Sequence, residues 1–355
     1  MNKNPPILIC LSVLCMVVLL GCSSTANLSA SLVPIGAQAV NFMAPIASSG
    51  IQPVLPQASI SSKDPILFIN GDLVSGNSLA RSQKVVALIQ SLMAKHPGTQ
   101  MLVASAGDNE QENSPTLANY QNYFGTTYGV FVKQGIFRPI RGNHDVQDAG
   151  HGQAYATYFK SVTQLGKIKI DEGVMNYSYS YNLGAWHIVA IDQLAKALNK
   201  TSLAFLQSDL AKYAGTKCQL VYWHVPSFSS GFKHGDDPAQ NLLVQAEYKA
   251  GVDIQVNGHD HDYQRFYPLN PAGKRDNAKG ITTFVAGIGG QDGNDGSKTS
   301  IAQAASAVYM GNFPGGNGNH AIGVLQLTLH ATSASYALYD ANNSAILDQG
   351  NIACH

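Results

Sequence analysis

The sequence predicts two mixed β-sheets packed face to face, with helices on the outside. Three observations carry that expectation. Short apolar runs alternate with stretches whose apolar residues recur at helical spacing. Nearly every polar cluster, such as Gly-Asp or His-x-His, sits directly after one of those runs. In the second half, alternating hairpin patterns take over. Hydrophobic residues make up 45% of the 355 residues, enough for a sizeable core. Charged residues reach only 12%, against roughly 25% in an average soluble domain. The 22 basic and 22 acidic residues cancel, with a pI near 7.2. That balance gives no electrostatic footprint for nucleic acid or anionic lipid.

The chain opens with Lys3 and an apolar run of 14 residues, Ile7 to Leu20, too short to span a bilayer and suited to a signal sequence. The run ends in Leu19-Leu20-Gly21-Cys22, which resembles the lipobox of bacterial lipoprotein precursors. The resemblance implies that residues 1–21 are a signal peptide and that Cys22 is lipidated. It also implies that the protein is anchored in the bacterial cell envelope or at the cell surface, with Ser23 and Ser24 pointing to the outer membrane in a two-membrane bacterium. The alternative is an ordinary signal followed by a chance cysteine. Residues 23–62 carry no charge and are rich in Ser, Ala, Pro and Gln, so residues 22–62 read as a tether. Of five cysteines, Cys10 and Cys15 leave with the signal and Cys22 takes the lipid. Cys218 and Cys354 remain as an even pair in an oxidising compartment, and a disulfide between them is expected. Two unpaired thiols, one buried and one frayed, are the alternative.

The folded body spans 63–355. Ile66 to Ile69 is a buried strand delivering Gly71-Asp72 at its C-terminal end, and Leu79 to Met93 has helical spacing. Met101 to Ala104 is a second buried strand, ending in Gly107-Asp108. Strand, helix and strand form a right-handed crossover that sets both carboxylates at one sheet edge. Phe137 to Ile140 leads into Arg141-Gly142-Asn143-His144-Asp145. Asn176 to Leu183 and Trp186 to Ile191 flank Gly184-Ala185 as a hairpin. A helix over about Thr201 to Tyr213 precedes the strand Gln219 to Trp223, which stops at His224. A helix over roughly Pro238 to Ala250 precedes Ile254 to Val256 and Asn257-Gly258-His259-Asp260-His261. Strands near Ile281–Ala286, Ile322–Leu329, Ser333–Tyr339 and Ala345–Leu347 complete the body.

Asp72, Asp108, Asn143, His224, His259 and His261 therefore follow buried strands on five separate loops. They offer oxygen and nitrogen donors without thiolate, a set suited to Zn, Fe or Mn. Any single histidine among the 11 is more often a surface or core residue, and His96 and His187 read as structural. The set taken jointly is what carries the signal.

These motifs resemble those of the calcineurin-like metallophosphoesterase superfamily and, within it, bacterial enzymes similar to purple acid phosphatases. The likeness runs from about Ile66 to the C-terminus, through Ala185 to Val189, Tyr222 to Pro226 and Asn257 to Tyr263, and the closing Cys354-His355 adds to it. It implies a four-layer αββα sandwich and hydrolysis of phosphate esters, with a phosphorylated small molecule as substrate. It also implies two divalent ions, bridged by Asp108. One takes Asp72 and His261, the other Asn143, His224 and His259, with a hydroxide between them as nucleophile. His144 is implied as the general acid and His234 as a phosphate-facing residue. A phosphodiesterase or nucleotide pyrophosphatase on the same site is the alternative, followed by a non-catalytic surface lipoprotein. No nucleic-acid binding is expected, and the membrane is reached only through Cys22.

Two departures stand out. Purple acid phosphatases place a tyrosine three residues after the bridging aspartate, where this chain has Gln111, and other branches place a histidine where this chain has Val74. Glu110, Glu112, Tyr120 and Tyr123 are the nearby residues able to substitute. The Gly-rich run Ala286 to Gly293 lacks the lysine of a phosphate loop and reads as a flexible rim. Arg141 reads as structural.

Overall fold

Strand β1 (Ile66–Asn70) is buried along its whole length, and its side chains alternate between two apolar layers. Leu67 and Ile69 join the layer between the sheets, whereas Ile66 and Phe68 join a layer under helix α1 (Leu79–Ala94). β2 (Met101–Ser105) repeats the division, with Leu102 and Ala104 on one side and Val103 on the other. The period of two in these short runs is what forces a sheet with apolar layers on both faces.

The computed structural model describes residues 63–160, 177–193, 200–231, 234–291, 306–310 and 321–355. The signal peptide, Cys22 and tether expected from the sequence lie outside them. After β2 come two short helices, α2 (Leu117–Asn119) and α3 (Gly129–Lys133), separated by a π-helical turn over Tyr120–Phe124. Next are β3 (Phe137–Pro139), α4 (Gln153–Lys160) and the hairpin β4 (Tyr179–Leu183) and β5 (Trp186–Ala190). The hairpin turns at Gly184, whose φ of 60° is accessible to glycine. α5 (Lys200–Lys212), β6 (Cys218–Tyr222), α6 (Asn241–Ala250) and β7 (Ile254–Asn257) follow. The chain continues through β8 (Tyr263–Phe266), β9 (Thr282–Ala286) and β10 (Ser306–Met310). It then forms β11 (Gly323–Leu329), β12 (Ser333–Asp340) and β13 (Ile346–Ala353).

The strands form a six-stranded sheet in the order β13-β12-β11-β1-β2-β3 and a seven-stranded sheet in the order β10-β8-β9-β7-β6-β5-β4. Both are mixed. β1, β2 and β3 run parallel in the first, and β5, β6, β7 and β9 in the second. The core between the sheets joins Leu325 and Leu327 to Leu220, Val256 and Phe284. α1 covers the outer face of the first sheet beside an aromatic cluster of Tyr120, Phe124, Tyr128, Phe137 and Phe159. Leu206 of α5 and Leu243 of α6 pack on the second sheet. The four layers expected from the sequence are present.

Several elements differ from the sequence reading, which gives no strand for β8 or β10. The helical stretch between β2 and β3 is built largely on aromatics, whose packing decides it rather than spacing. The helix expected over Pro238 to Ala250 divides into a 3-10 turn, Pro238–Gln240, and α6. β13 extends well past Leu347 because pairing with β12 from Ser333 to Tyr339 holds its polar residues in line. A disulfide joins Cys218, at the start of β6, to Cys354, just after β13, with the Cα atoms 5.3 Å apart. Among the described residues no helix is long and apolar enough to cross a membrane.

Candidate metal centre

β1 and β2 lie in parallel register with Asn70 opposite Ser105, so the two Gly-Asp pairs emerge side by side. The ladder continues past the strands: Asp72 N–H donates to Gly107 O at 3.0 Å and Leu73 N–H to Asp108 O at 2.9 Å. The second sheet meets the first here, through Gly71 N–H donating to Ala286 O at 2.8 Å. Asp72, Asp108 and His259 all adopt positive φ, at 61°, 53° and 76°. Three non-glycine residues in left-handed conformation at one edge mark a place where function outweighs backbone comfort. Neighbouring glycines make the crowding possible. A Cβ on Gly107 would lie 2.6 Å from the His224 ring, and one on Gly142 would lie 2.0 Å from an Asp108 carboxylate oxygen.

Asp72, Asp108 and His224 each bring a donor atom within 4.8 Å of the others, and all three are buried. Asn143 Oδ1 lies 3.0 Å from His224 Nε2, which is 3.2 Å from Asp108 Oδ2. His261 Nε2 stands 3.3 Å from Asp72 Oδ1. The His259 ring centroid is 5.1 Å from that of His224 and 4.0 Å from that of His234. His144 donates its backbone N–H to Asp108 Oδ1 at 2.8 Å, while its buried Nδ1 has no hydrogen-bond partner. All eight candidates of the site are thus adjacent in space, although none lies within the same loop as all the others.

The electrostatics favour positive charge at the site. The Nδ1 of His224 lies 2.8 Å from Ala106 O and donates to it, which makes Nε2 of the neutral ring an acceptor. That nitrogen then faces two further acceptors, Asn143 Oδ1 and Asp108 Oδ2, and only a proton or a cation reconciles the three. Without a cation the proton fills the role. Burial works against the charged ring, yet Asp108 and then Asp72 push His224 up to about 9. Asp108 itself is held below the usual carboxylate range: burial opposes its ionisation, but His224 outweighs it. His259 is pushed down to about 2 by burial and by the neighbouring His224 and His234. It therefore remains a neutral nitrogen donor. Buried carboxylates, a neutral amide oxygen and neutral imidazoles form a donor set that fits two divalent ions.

Several residues that the sequence reading passed over hold this set in place. Asp145 accepts from Asn109 N–H and Nδ2, from Gly142 N–H at 2.8 Å and from the Tyr120 hydroxyl. It ties the Asn143-His144 loop to the Asp108 loop. Burial, and then Asp108, push its carboxyl up to about 6. Asp260 accepts from the Ser229 hydroxyl and from His234 N–H at 3.3 Å, joining the His234 loop to the His259-His261 loop. Gln111 donates its side-chain N–H to Asp72 Oδ1 at 2.8 Å, and His259 N–H takes Asp72 Oδ2 at 2.8 Å. The only sequence signal for Asp145 and Asp260 was their place inside Gly-Asn-His-Asp and Gly-His-Asp-His; Gln111 gave none beyond the missing tyrosine.

Of the residues able to replace that tyrosine, Tyr120 is committed to Asp145 and Glu112 Oε1 accepts Gly76 N–H at 2.9 Å. Arg141 is buried and paired with Asp192 at 3.0 and 2.5 Å, as its structural reading required. His187 is likewise structural, 2.6 Å from Asp209. The rim expected over Ala286 to Gly293 is corrected over its described part. Ala286 to Gly290 is buried, with Gly289 N–H donating to Gly71 O and the Tyr128 hydroxyl donating to Gly289 O. Its glycines let β1 and β9 approach, and do not form a lid.

Comparison with known proteins places this geometry. The chain is 27% identical over 173 residues to purple acid phosphatase 15 of Arabidopsis thaliana, covering 45% of this chain and 32% of that protein. It is 33% identical over 105 residues to an acid phosphatase of Aspergillus ficuum, covering 24% of this chain and 16% of the other. It thus spans about a third or less of the curated relatives it matches. The purple acid phosphatase PPD1 of yellow lupin (Lupinus luteus) superposes with a TM-score of 0.62 at 16% identity, over 81% of this chain and 53% of that one. GAP50, the anchor in the inner membrane complex of Plasmodium, superposes with a TM-score of 0.59 at 16% identity, over 82% and 90%. At that identity the two structures show a shared fold. The model of the calcineurin-like phosphoesterase family matches residues 49–263, more than half of the chain and every loop of the centre, and the chain belongs to that family.

Proposed function

We propose that the protein hydrolyses phosphate monoesters with two divalent ions held at this centre. The observation that carries the reading is that Asn143 Oδ1 and Asp108 Oδ2 stand 3.0 and 3.2 Å from His224 Nε2, an arrangement of acceptors that calls for a cation. Likeness to acid phosphatases from a plant and a fungus supports the monoester preference. Asp108, with one oxygen toward His224, would be the ligand shared by the two ions. Asp72 and His261 would hold the first, and Asn143, His224 and His259 the second. When bound, such ions offset charge at phosphorus and generate a nucleophile from water near neutral pH. Their identity lies among Zn, Fe and Mn, and with Gln111 in the tyrosine position the first ion is divalent and the protein colourless.

The chain's own residues do the rest. Asp145 fixes the Asn143-His144 turn, so that the amide oxygen and the imidazole hold their positions together. His144, with its backbone locked to Asp108 and its Nδ1 unsatisfied, protonates the departing alkoxide. His234, beside His259, faces the phosphate from the other side. Metal analysis and a panel of monoesters, diesters and nucleotide pyrophosphates test the reading. Two ions and a preference for monoesters of at least about tenfold are expected. A preference for diesters would replace it with a phosphodiesterase. Two bound ions without turnover would leave a binding scaffold.

We further propose that cleavage follows Gly21 and that lipid on Cys22 anchors the protein in the bacterial cell envelope, residues 22–62 acting as tether. Incorporation of labelled fatty acid that is lost in Cys22→Ala is the expected result.

A further inference from the structure

A net charge of zero conceals a segregation. The parallel strands point their C-terminal ends at the candidate centre, so the segments feeding into them lie at the opposite, basal edge. A lysine stands in nearly every one of those segments: Lys63 before β1, Lys95 before β2, Lys133 before β3, Lys217 before β6, Lys249 before β7 and Lys279 before β9. All six are exposed. The carboxylates at that edge are fewer than the lysines and are hydrogen-bonded within the protein; Asp209 accepts from the Ser180 hydroxyl and lies 2.6 Å from His187. Asp64 pairs with His330 at 2.6 Å, and Asp276 accepts from the Tyr248 hydroxyl at 2.7 Å. Asp253 is buried and accepts from Gln219 N–H and from His355. Asp72, Asp108, Asp145, Asp192 and Asp260 lie at the other edge. Three of the basal lysines converge. Lys217, Lys249 and Lys279, with His355 and Thr216, line one open cavity of about 450 Å³, ample for a phosphate headgroup.

We propose that this basal edge, centred on the cavity of Lys217, Lys249 and Lys279, docks on a bilayer surface rich in anionic phospholipid headgroups. Three features favour a bilayer over a nucleic acid. The cations are spread across the bases of both sheets, matching a broad plane rather than a groove. The chain enters the folded body at this same edge, through Lys63, whose Nζ donates to Pro97 O at 2.9 Å. Of the two rings among the described residues lining the cavity, Tyr248 is tied to Asp276 and His355 to Asp253, so neither offers a free stacking platform. Docked in this way, the domain turns its candidate centre away from the bilayer, toward soluble substrate.

The experiment uses the chain from residue 22 onward carrying Cys22→Ala, so that neither the apolar signal run nor an acyl chain contributes and the lipid-anchor reading is tested separately. Its partitioning onto phosphatidylcholine vesicles with and without phosphatidylglycerol is compared. Binding that requires phosphatidylglycerol and weakens with salt is expected. Each lysine near an anionic surface contributes roughly fivefold to partitioning, so K217Q/K249Q/K279Q lowers it roughly 100-fold. Lys84→Gln and Lys200→Gln, away from the basal edge, leave it unchanged. Because all five lysines are exposed, an unaltered melting curve confirms that the variants fold. Equal binding to both vesicle types, equal loss in the control variants, or displacement by RNA at lower phosphate concentration than phosphatidylglycerol would overturn the proposal.

Discussion

At one edge of the two sheets, Asp72, Asp108 and His259 sit in left-handed backbone with their polar groups buried. At the other edge, lysines stand in solvent and a disulfide clamps β6 to the residues after β13. Each left-handed residue costs about 1–2 kcal/mol, and the buried carboxylates add desolvation. The first edge is therefore assembled at the expense of stability, and the second contributes to it. The fold allows this division because every parallel strand has both an end at the candidate centre and a basal end. The expectation is that activity and stability in this chain respond to different substitutions.

The largest effect belongs to Asp108→Ala. Removing the proposed bridge takes activity to background and metal content from two ions to none. The melting temperature of the metal-free protein stays within a few degrees, because the site carries strain rather than stability. Metal that remains at two per chain would break the bridging assignment; a collapsed fold would break the comparison itself.

His144→Ala separates chemistry from assembly within the same edge. Turnover of alkyl esters falls by about 10²–10⁴, with both metals retained. Esters with good leaving groups, which need little protonation, lose less. Equal losses for the two ester types would show that His144 positions Asp108 through its backbone and transfers no proton.

The opposite outcome is expected at the base. Replacing Cys218 and Cys354 together by serine releases a clamp between positions 136 residues apart. Stability drops by about 2–4 kcal/mol, read from urea unfolding, while kcat/KM at ambient temperature is unchanged. A loss of activity without a loss of stability would show that the base is coupled to the centre.

The difference between the edges also explains what the sequence made legible. Asp72, Asp108, Asn143, His224, His259 and His261 were readable because each follows a buried strand, and strand ends are fixed by short apolar runs. The crossover topology followed from the same runs. Gln111, Asp145 and Asp260 were not readable as positioning residues, since their roles are hydrogen bonds between loops distant in sequence. The run Ala286 to Gly290 was misjudged because glycine serves both flexible rims and tight packing, and composition alone does not separate them. The basal lysines vanished into a net charge of zero, which records a sum and not a distribution.

Beneath the basal cavity, Glu247 on α6 gives a smaller effect of opposite sign. Its side chain is buried, and neither carboxylate oxygen has a hydrogen-bond partner among the described residues. Burial holds its pKa well above the ordinary value of 4.5, so the folded chain keeps a proton that the unfolded chain releases. The unfolded state then binds fewer protons at neutral pH. The contribution of Glu247 to stability is retained below the unfolded value and lost as pH rises from there toward the folded one. One such group costs up to about 1.4 kcal/mol per pH unit. Glu247→Gln, a neutral isostere, removes that cost: it stabilises the protein by about 1–3 kcal/mol near pH 7 and changes little near pH 4. Urea unfolding of the two proteins across this range measures the difference, with kcat/KM unaltered because α6 contributes no residue to the centre. A variant less stable than the parent at neutral pH would mean that the carboxylate is ionised and paired in solution, and that the interior of this layer is as polar as the catalytic edge.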